Sequence, residues 1–435
     1  MPCPGIGHST RDGTPYHLGM PARRILLAPL FASLIAVTLG VAGIPATSAG
    51  EPTYIAVIDA GSSGTRLALF EQGSEVTVIQ VYSAPRNSPG LSSFATNTAA
   101  AGPDVVQPLL DQLRTYLDTE GIDITDVPIA LLATAGMRRL KLNDPIATRE
   151  IFASTRATIS ASGFPLRANK ILPDTQEALL AWLDANAHAG TLNTPRQDIG
   201  IVEIGGASAQ VAFRSPRKAG PGVATVRVSG KDIHVVAISY LGLGANEARG
   251  FMQADTSGGA ECFPNNALGT DPVNYLATSA LPVPSSEADF LGSRCGRAFA
   301  GVIEDVAGQY PRGVRPRNLS VLPGFTRASF VGLGSIPFIY ADFKIAPGAD
   351  ERRALQSAVR TTCKGEDAWA KVRALFPKES ERFAETQCSS GAYLDQLLFG
   401  PAGIGLDPAR FAAQPDLPGG NPSWRDGYAI TVLHP

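Results

Sequence analysis

Continuous apolar runs alternate with amphipathic stretches from residue 54 onward. YIAVID (54–59) ends in an acid followed by a glycine turn, and LALF (67–70) and VTVIQVY (76–82) follow it at strand-like spacing. These three runs predict a meander, and PIALLATAG (128–136) predicts a further buried strand that leads into a small-residue loop. Between and after the runs, apolar residues fall on one helical face over 103–117, 144–160 and 174–187. This alternation predicts an α/β fold with a mostly parallel or mixed sheet that is covered on both faces.

The opening pattern recurs in the second half of the chain. After the polar stretch HAGTLNTPRQ (188–197), the run IGIVEI again ends near an acid, and GGASAQ and VAF follow. A strand with a terminal carboxylate, a glycine turn with hydroxyls and a second strand therefore occur twice, which predicts two related lobes facing each other. We expect lobe I at 50–187, lobe II at 188–405 with helices near 293–309, 350–361, 366–376 and 388–399, and a segment at 406–435 that returns to lobe I through YAITVL (428–433).

The first 49 residues have the composition of an export signal. Arg23 and Arg24 precede an uncharged apolar stretch that ends in the small residues ATSA, which predicts cleavage after Ala49. Met20 is an alternative start of the chain, and an uncleaved anchor is the alternative to cleavage, because about 20 apolar residues can span a bilayer. We expect a signal peptide at 1–49 that directs the protein through the general export route. The mature protein is then expected to be periplasmic or secreted, with no membrane association after cleavage.

Cysteine usage and charge narrow the function classes. Removal of the leader leaves an even set of four cysteines, namely Cys262, Cys295, Cys363 and Cys388. No CxxC spacing or histidine cluster accompanies them, so disulfides in an oxidising compartment are favoured over zinc. Four cysteines allow three connectivities, of which we prefer the sequential pairing, and buried free thiols are the alternative. The formal net charge of −2 has no long run of either sign, so neither nucleic acid nor an acidic membrane is expected as a partner.

Two glycine turns carry the candidate chemistry. In DAGSSGTR (59–66), Asp59 ends a buried strand, Gly61 and Gly64 permit close approach of the backbone to a phosphate, and Ser62, Ser63 and Thr65 add hydroxyl donors. EIGGASAQ (203–210) repeats the design with Glu203, Gly205, Gly206, Ala207, Ser208 and Gln210. Two opposed turns can hold a polyphosphate from both sides, and the two acids can hold Ca²⁺ or Mg²⁺ through oxygen and water. No P-loop lysine is present, so a Walker site is excluded.

Three further segments are weaker signals on their own. ATAGMR (133–138) places Thr134 after a strand, and Arg138 can pair either with phosphate oxygens or with a structural carboxylate. Glu177 stands in the first turn of a helix, where an acid also interacts favourably with the helix dipole. SYLGLGANEAR (239–249) contains a glycine turn that opens a helix. Phe338 and Tyr340 could stack on a base, although core packing is the simpler interpretation.

Taken together, five of these segments resemble the apyrase conserved regions of nucleoside triphosphate diphosphohydrolases, in family order over residues 59–249. They are DAGSSGTR, ATAGMR, the Glu177–Trp182–Asn186 spacing, EIGGASAQ and SYLGLGANEAR. The resemblance implies a two-lobed, actin-like (RNase H-like) fold with the active site in the cleft between the lobes. It also implies divalent-metal-dependent hydrolysis of nucleoside tri- and diphosphates to the monophosphate. We expect a monomer.

The resemblance also implies roles for individual residues. Glu177 would be the general base, Ser208 and Gln210 would hold the attacking water, and Asp59 and Glu203 would position a hydrated metal ion. Phosphate contacts would come from the two turns and from Thr134. The chain departs from the family in having Glu203 where Asp is usual, Ala178 where Gly is common, and Gly64 and Ala209 in place of bulkier or hydroxylated residues.

Two alternatives remain at this stage. An exopolyphosphatase or guanosine pentaphosphate phosphatase would share the fold and the twin turns, but GASAQ fits the apyrase pattern better. The second alternative is a protein that binds nucleotides without hydrolysing them. In that case Glu203 and Ala178 would be signs that the catalytic site has decayed.

Overall fold

The first strand of the fold places alternate side chains in two different apolar clusters. A computed structural model of the protein describes residues 54–194, 197–254, 260–264, 267, 292–348, 350–377, 383–413, 417 and 420–435. The first strand, β1 (Tyr54–Gly61), is buried almost throughout. Ile55 and Val57 contribute to one apolar cluster, and Ala56 and Ile58 contribute to another. A sheet covered on both faces requires such a continuous apolar run, which is why β1 lacks the polar alternation of a surface strand.

The first sheet has the strand order β3-β2-β1-β4-β5. The strands after β1 are β2 (Gly64–Gln72), β3 (Val78–Ser83), β4 (Ile129–Ala133) and β5 (Leu166–Ile171). β1, β2 and β3 pair antiparallel, which confirms the predicted meander, and β1, β4 and β5 run parallel. The helices of this half are α1 (Gln107–Glu120), α2 (Ala135–Asn143), α3 (Pro145–Ala161) and α4 (Asp174–His188). The segment expected to be a small-residue loop after β4 is the first turn of α2, because Ala and Gly there do not interrupt the helix.

The second sheet has the order β11-β10-β6-β7-β9-β8. Its strands are β6 (Ile199–Ile204), β7 (Ser208–Arg214), β8 (Val223–Val228), β9 (Lys231–Leu241), β10 (Ser329–Gly334) and β11 (Phe411–Ala412). The helices of this half are α5 (Ala245–Ala254), α6 (Gly292–Gly308), α7 (Ile336–Asp342), α8 (Glu351–Cys363), α9 (Ala368–Arg373), α10 (Ala384–Phe399) and α11 (Trp424–Leu433).

The apolar clusters define the layers. One cluster lies between the first sheet and α1 and α3, and another lies between the second sheet and α5 to α10. The cluster between the two sheets includes α4 and α11. The order is therefore helices, sheet, helices, sheet, helices, and any side chain that points to the inner face of either sheet points toward α4 and α11.

The helices next to the predicted lobe boundaries contact both halves of the molecule. α4, which precedes residue 188, packs against β6, β7 and β9 of the second sheet. In the 406–435 segment, β11 joins the second sheet, whereas α11 packs on α4 and on β1, β2 and β3. Gly427 lies so close to α4 that an added Cβ would lie 2.0 Å from the Leu180 carbonyl oxygen. The lobe boundaries themselves stay predictions.

The four cysteines form two disulfides. Cys262 pairs with Cys295 and Cys363 pairs with Cys388, which is the sequential pairing preferred from the sequence. The proposed leader, residues 1–49, lies outside the described residues. Among the helices that the structure describes, none combines the length and apolarity needed to span a bilayer.

Candidate active site

The two glycine turns lie directly opposite each other. Ser62 and Ser63 form the turn between β1 and β2, and residues 205–207 form the turn between β6 and β7. A Cβ added to Gly206 would lie 2.7 Å from Ser62 Oγ, so the second turn approaches the first more closely than a side chain would allow. Ala207 also packs on Ala135 at the start of α2. The facing arrangement expected from the repeated pattern is therefore present.

Several backbone amides of these turns are available to a ligand. Within the described chain, the amides of Ser62, Ser63, Gly206 and Ala207 make no hydrogen bond. The Gly205 amide differs, because it donates to the Ser208 carbonyl at 3.0 Å. The phosphate contact expected of Gly205 therefore cannot use its amide unless this bond opens. A cluster of unengaged amides at a turn is a favourable site for an anion.

The carbonyls of the second turn face the other way. The amides of Ala245 and Asn246, at the start of α5, donate to the carbonyls of Gly205 and Gly206 at 2.9 and 3.0 Å. This contact explains why the segment SYLGLGANEAR follows the turn motif in the same constellation. It anchors the carbonyls of the turn to the first amides of α5.

The threonines expected to contact phosphate lie beside the first turn. Thr134 precedes α2, is buried, and donates its amide to the Ala60 carbonyl at 3.2 Å. Thr65 follows the turn on β2, and its buried Oγ1 has no hydrogen-bond partner in the described residues. A buried hydroxyl without a partner is costly, so a ligand that supplied one would be stabilised there.

Asp59 and Glu203 point toward each other from the two sheets. Asp59 follows Ile55 and Val57 by even steps, and Glu203 follows Ile201 by an even step, so all of them face the cluster between the sheets. Glu177, on α4, is buried in the same layer. The charges of Glu177 and Asp59 raise the pKa of Glu203, and the charge of Asp59 raises the pKa of Glu177. They therefore share one site.

Burial is the main cause of the raised pKa at each acid. Burial raises the pKa of Asp59, although Arg425, Arg66 and Arg86 oppose the rise. Burial followed by the charges of Glu177 and Asp59 raises the pKa of Glu203 to about 8. Perturbed carboxyl groups that converge in this way are typical of functional sites.

Arg138 forms an ion pair with the candidate base. Its Nη2 donates to Glu177 Oε2 at 2.6 Å, and both side chains are largely buried. Of the two interpretations that the sequence allowed, the structure therefore has the carboxylate pair. Burial raises the pKa of Glu177, the Arg138 cation and its hydrogen bond oppose the rise, and Asp59 and Asp174 add to it. Glu177 Oε1 makes no hydrogen bond within the described chain and is the atom available to accept a proton.

Gln210 and Ser208 lie next to this ion pair. Gln210 Nε2 donates to Ser208 Oγ at 2.6 Å, and Arg138 Nη2 donates to the same Oγ at 3.2 Å. The three candidate catalytic groups are thus connected through Arg138. Sequence reasoning left Arg138 open and did not single out Ser239, which also joins this network. The period-two alternation of β9 was the signal that could have found Ser239.

Asn186 has a structural role, and the two aromatic residues considered for base stacking differ in burial. Asn186 accepts a hydrogen bond from the Ile199 amide and donates to the Ile199 carbonyl, which fixes the end of α4 to β6. Tyr340 is 1% exposed and belongs to the core, whereas Phe338 is 64% exposed. Core packing therefore accounts for Tyr340 but not for Phe338.

The acids fit a hydrated, hard divalent cation. Glu203 Oε2 is enclosed and has no partner in the described residues. A bound cation or its water would satisfy this atom. Within the described chain no cluster of three or more His, Cys, Asp or Glu side chains could hold a metal directly. Asp59 and Glu203 are thus suited to hold the ion through its water shell, as hard cations that keep part of their hydration permit.

Comparison with solved structures identifies the class of fold. The chain is similar to a nucleoside triphosphate hydrolase from Neospora caninum, with a TM-score of 0.51 and 14% identity, over 88% of this chain and 92% of that one. The two-lobed, actin-like α/β fold expected from the sequence is confirmed.

Comparison of sequences identifies the family. The model of the GDA1/CD39 (nucleoside phosphatase) family matches residues 46–267, just over half of the chain. Probable apyrase 5 of Arabidopsis thaliana is 27% identical over 82% of this chain and 77% of its own length. Ectonucleoside triphosphate diphosphohydrolase 2 of Mus musculus is 26% identical over 86% of this chain and 82% of its own length. The chain belongs to the GDA1/CD39 family, which confirms the recognition made from its motifs.

Proposed function

We propose that this protein is an apyrase that hydrolyses nucleoside tri- and diphosphates to the monophosphate and phosphate, with Ca²⁺ or Mg²⁺ as cofactor. The observation that carries the proposal is the convergence of Asp59, Glu177 and Glu203 beneath two opposed glycine turns. The apyrases among its relatives support the substrate class. The leader predicted at 1–49 supports export to the periplasm or the outside of the cell.

The terminal phosphate would lie between the two turns. Amides of Ser62, Ser63, Gly206 and Ala207, with Thr65 and Thr134, would donate hydrogen bonds to its oxygens. Donors that are already oriented toward the transferring group stabilise the charge of the transition state without reorganisation. The cation held by Asp59 and Glu203 would neutralise charge on the phosphate oxygens when it is bound.

Glu177 would activate the water. Ser208 and Gln210 would hold a water molecule in line with the terminal P–O bond, and Glu177 Oε1 would take its proton as the water oxygen attacks phosphorus. The bond to the bridging oxygen breaks, and the shortened nucleotide leaves with that oxygen. Arg138 would keep Oε2 occupied, so that the proton goes to Oε1.

A substrate panel tests the proposed function. We expect ATP and ADP to be hydrolysed in the presence of Ca²⁺ or Mg²⁺, with accumulation of AMP. The reason is that the site would bind a terminal phosphate, so that two successive cleavages convert ATP to AMP. Time-resolved product chromatography with ATP, ADP, polyphosphate and pppGpp measures this. Faster release from polyphosphate or pppGpp than from ATP would instead favour an exopolyphosphatase or pentaphosphate phosphatase. Tight nucleotide binding without phosphate release would indicate a binding protein.

Gly136→Ala is expected to lower turnover by displacing the first turn. A Cβ at Gly136 would lie 2.8 Å from Ser62 Cα, a backbone atom that cannot rotate away. A displacement of about 1 Å at a reacting centre can cost about 10²-fold in rate. Steady-state ATP hydrolysis measures the effect.

Gly301→Ala is the matched control for Gly136→Ala. Gly301 lies in α6, and nothing lies within 4 Å of an added Cβ. We expect unchanged turnover and a gain of about 0.5–1 kcal/mol in the free energy of unfolding, from lower helix entropy cost. Equal turnover in both variants would contradict the close approach of α2 to the first turn.

A further inference from the structure

Ser239 lies in the same polar row as two candidate site residues. In the second sheet, Glu203 is directly opposite Gln210, and Gln210 is directly opposite Ser239. Directly opposite residues of antiparallel strands project from the same face. Ala237 and Val235, at even steps from Ser239, lie in the cluster between the sheets. Ser239 therefore points into the layer that holds Glu177, and its side chain is buried.

Four polar groups form a closed ring around this point. Gln210 Nε2 donates to Ser208 Oγ at 2.6 Å and to Ser239 Oγ at 3.1 Å. Arg138 Nη2 lies 3.2 and 3.4 Å from the same two oxygens. Two donors thus bridge two hydroxyls, and the ring is joined to the candidate base by the bond from Arg138 to Glu177.

The ring fixes the orientation of the Gln210 amide. An amide nitrogen has two hydrogens, and here each is directed to one serine. Gln210 Oε1 makes no hydrogen bond in the described part of the chain and is the atom left to accept a hydrogen from water. Arg138 Nη2 also has two hydrogens; one is donated to Glu177, and the two serine oxygens share the other. The lone pairs of both serine oxygens therefore face Gln210 and Arg138, and their own hydrogens point out of the ring. Ser239 also lines a cavity of about 450 Å³, together with Asp174 and Tyr310.

We propose that Ser239 is a positioning residue of the hydrolytic reaction, which holds the Gln210 amide so that Oε1 faces the attacking water. Without the Ser239 hydroxyl, one amide hydrogen of Gln210 loses its acceptor, and the bond to Ser208 alone holds the amide. The water would then be held less well in line with the P–O bond. This inference rests on the proposed function, and it gives a role to a residue of the fifth segment to which the resemblance assigned none.

Ser239→Ala is expected to lower kcat for ATP by about 10–100-fold, since misplacement of a reacting group by about 1 Å has effects of that order. The KM for ATP should be nearly unchanged, because Ser239 does not line the turns that would bind phosphate. Ser239→Thr should restore most of the activity, as it keeps the hydroxyl and a β-branched residue suits a strand. Ser215→Ala is the control, because it removes another buried hydroxyl of the second half that bonds only to Arg217.

A double-mutant cycle separates positioning from a general loss of structure. If Ser239 acts through Gln210, Ser239→Ala should have little further effect on kcat in a Gln210→Ala background. Multiplicative losses in the double variant, or normal kcat in Ser239→Ala, would overturn the inference. Absence of phosphate release by the unaltered protein would instead contradict the proposed function. Failure of the proposed function and failure of the Ser239 inference are therefore distinguishable. Melting temperatures of all variants identify any that fail to fold.

Discussion

Replacing Glu177 with Gln is expected to lower phosphate release by at least about 100-fold while the fold is retained, because a general base contributes about 10²–10⁴ in rate. The amide has nearly the same shape as the carboxylate but cannot take a proton at neutral pH. Gln can still accept a hydrogen bond from Arg138, and its neutrality relieves repulsion with Asp59 and Glu203. Initial rates of phosphate release, with the melting temperature as the test of folding, measure the prediction.

Asp174→Asn is the matched control for this variant. This substitution also replaces a carboxylate with an amide, but it does so one turn earlier on α4, where the side chain is exposed. We expect only a small change in rate, since Asp174 affects Glu177 through its charge and lies after burial and Arg138 in the order of causes. Near-normal turnover of Glu177→Gln would remove Glu177 from the role of base. A comparable loss in both variants would point to charge near α4 rather than to proton transfer.

The ends of the strands could be predicted because local pattern determines them. A run of apolar residues that closes with an acid and a glycine turn fixes where β1 and β6 end. The side-chain period of two then fixes which face Asp59 and Glu203 occupy. Since the pattern occurs twice, the sequence also implied that the two acids face each other.

The connections between the lobes could not be predicted in the same way. Arg138 and Glu177 are 39 positions apart, and Arg138 and Ser239 are 101 apart. No local period relates them, because their contact depends on where the folded chain places α2, α4 and β9. For the same reason Glu177 could be interpreted as a helix-start acid, whereas its burial and its partner are properties of the packed molecule. The ion pair of Arg138 is likewise a property of the packed molecule.

The charge of Glu203 is expected to have opposite effects on stability and on activity. A carboxyl whose pKa is raised to about 8 in the folded state binds its proton more tightly than in the unfolded chain, where the reference value is 4.5. Its favourable contribution to stability is complete below the unfolded value and is lost as the pH rises toward 8. The loss is on the order of a few kcal/mol, and a bound divalent cation should reverse it by giving the carboxylate a partner.

Glu203→Gln should therefore make the metal-free protein more stable at pH 8.5 than the unaltered protein, with little difference at pH 4. Its Ca²⁺- or Mg²⁺-dependent turnover should fall by about 10–100-fold, the usual effect of losing a group that orients a metal ion through its outer shell. The gain in melting temperature on adding the cation, large for the unaltered protein at pH 8.5, should nearly vanish in the variant. Melting curves at both pH values with and without the cation, and ATP turnover before and after chelation, measure these effects. Full activity after chelation would exclude the cofactor, and a variant that kept its cation-dependent stabilisation would place the ion away from Glu203.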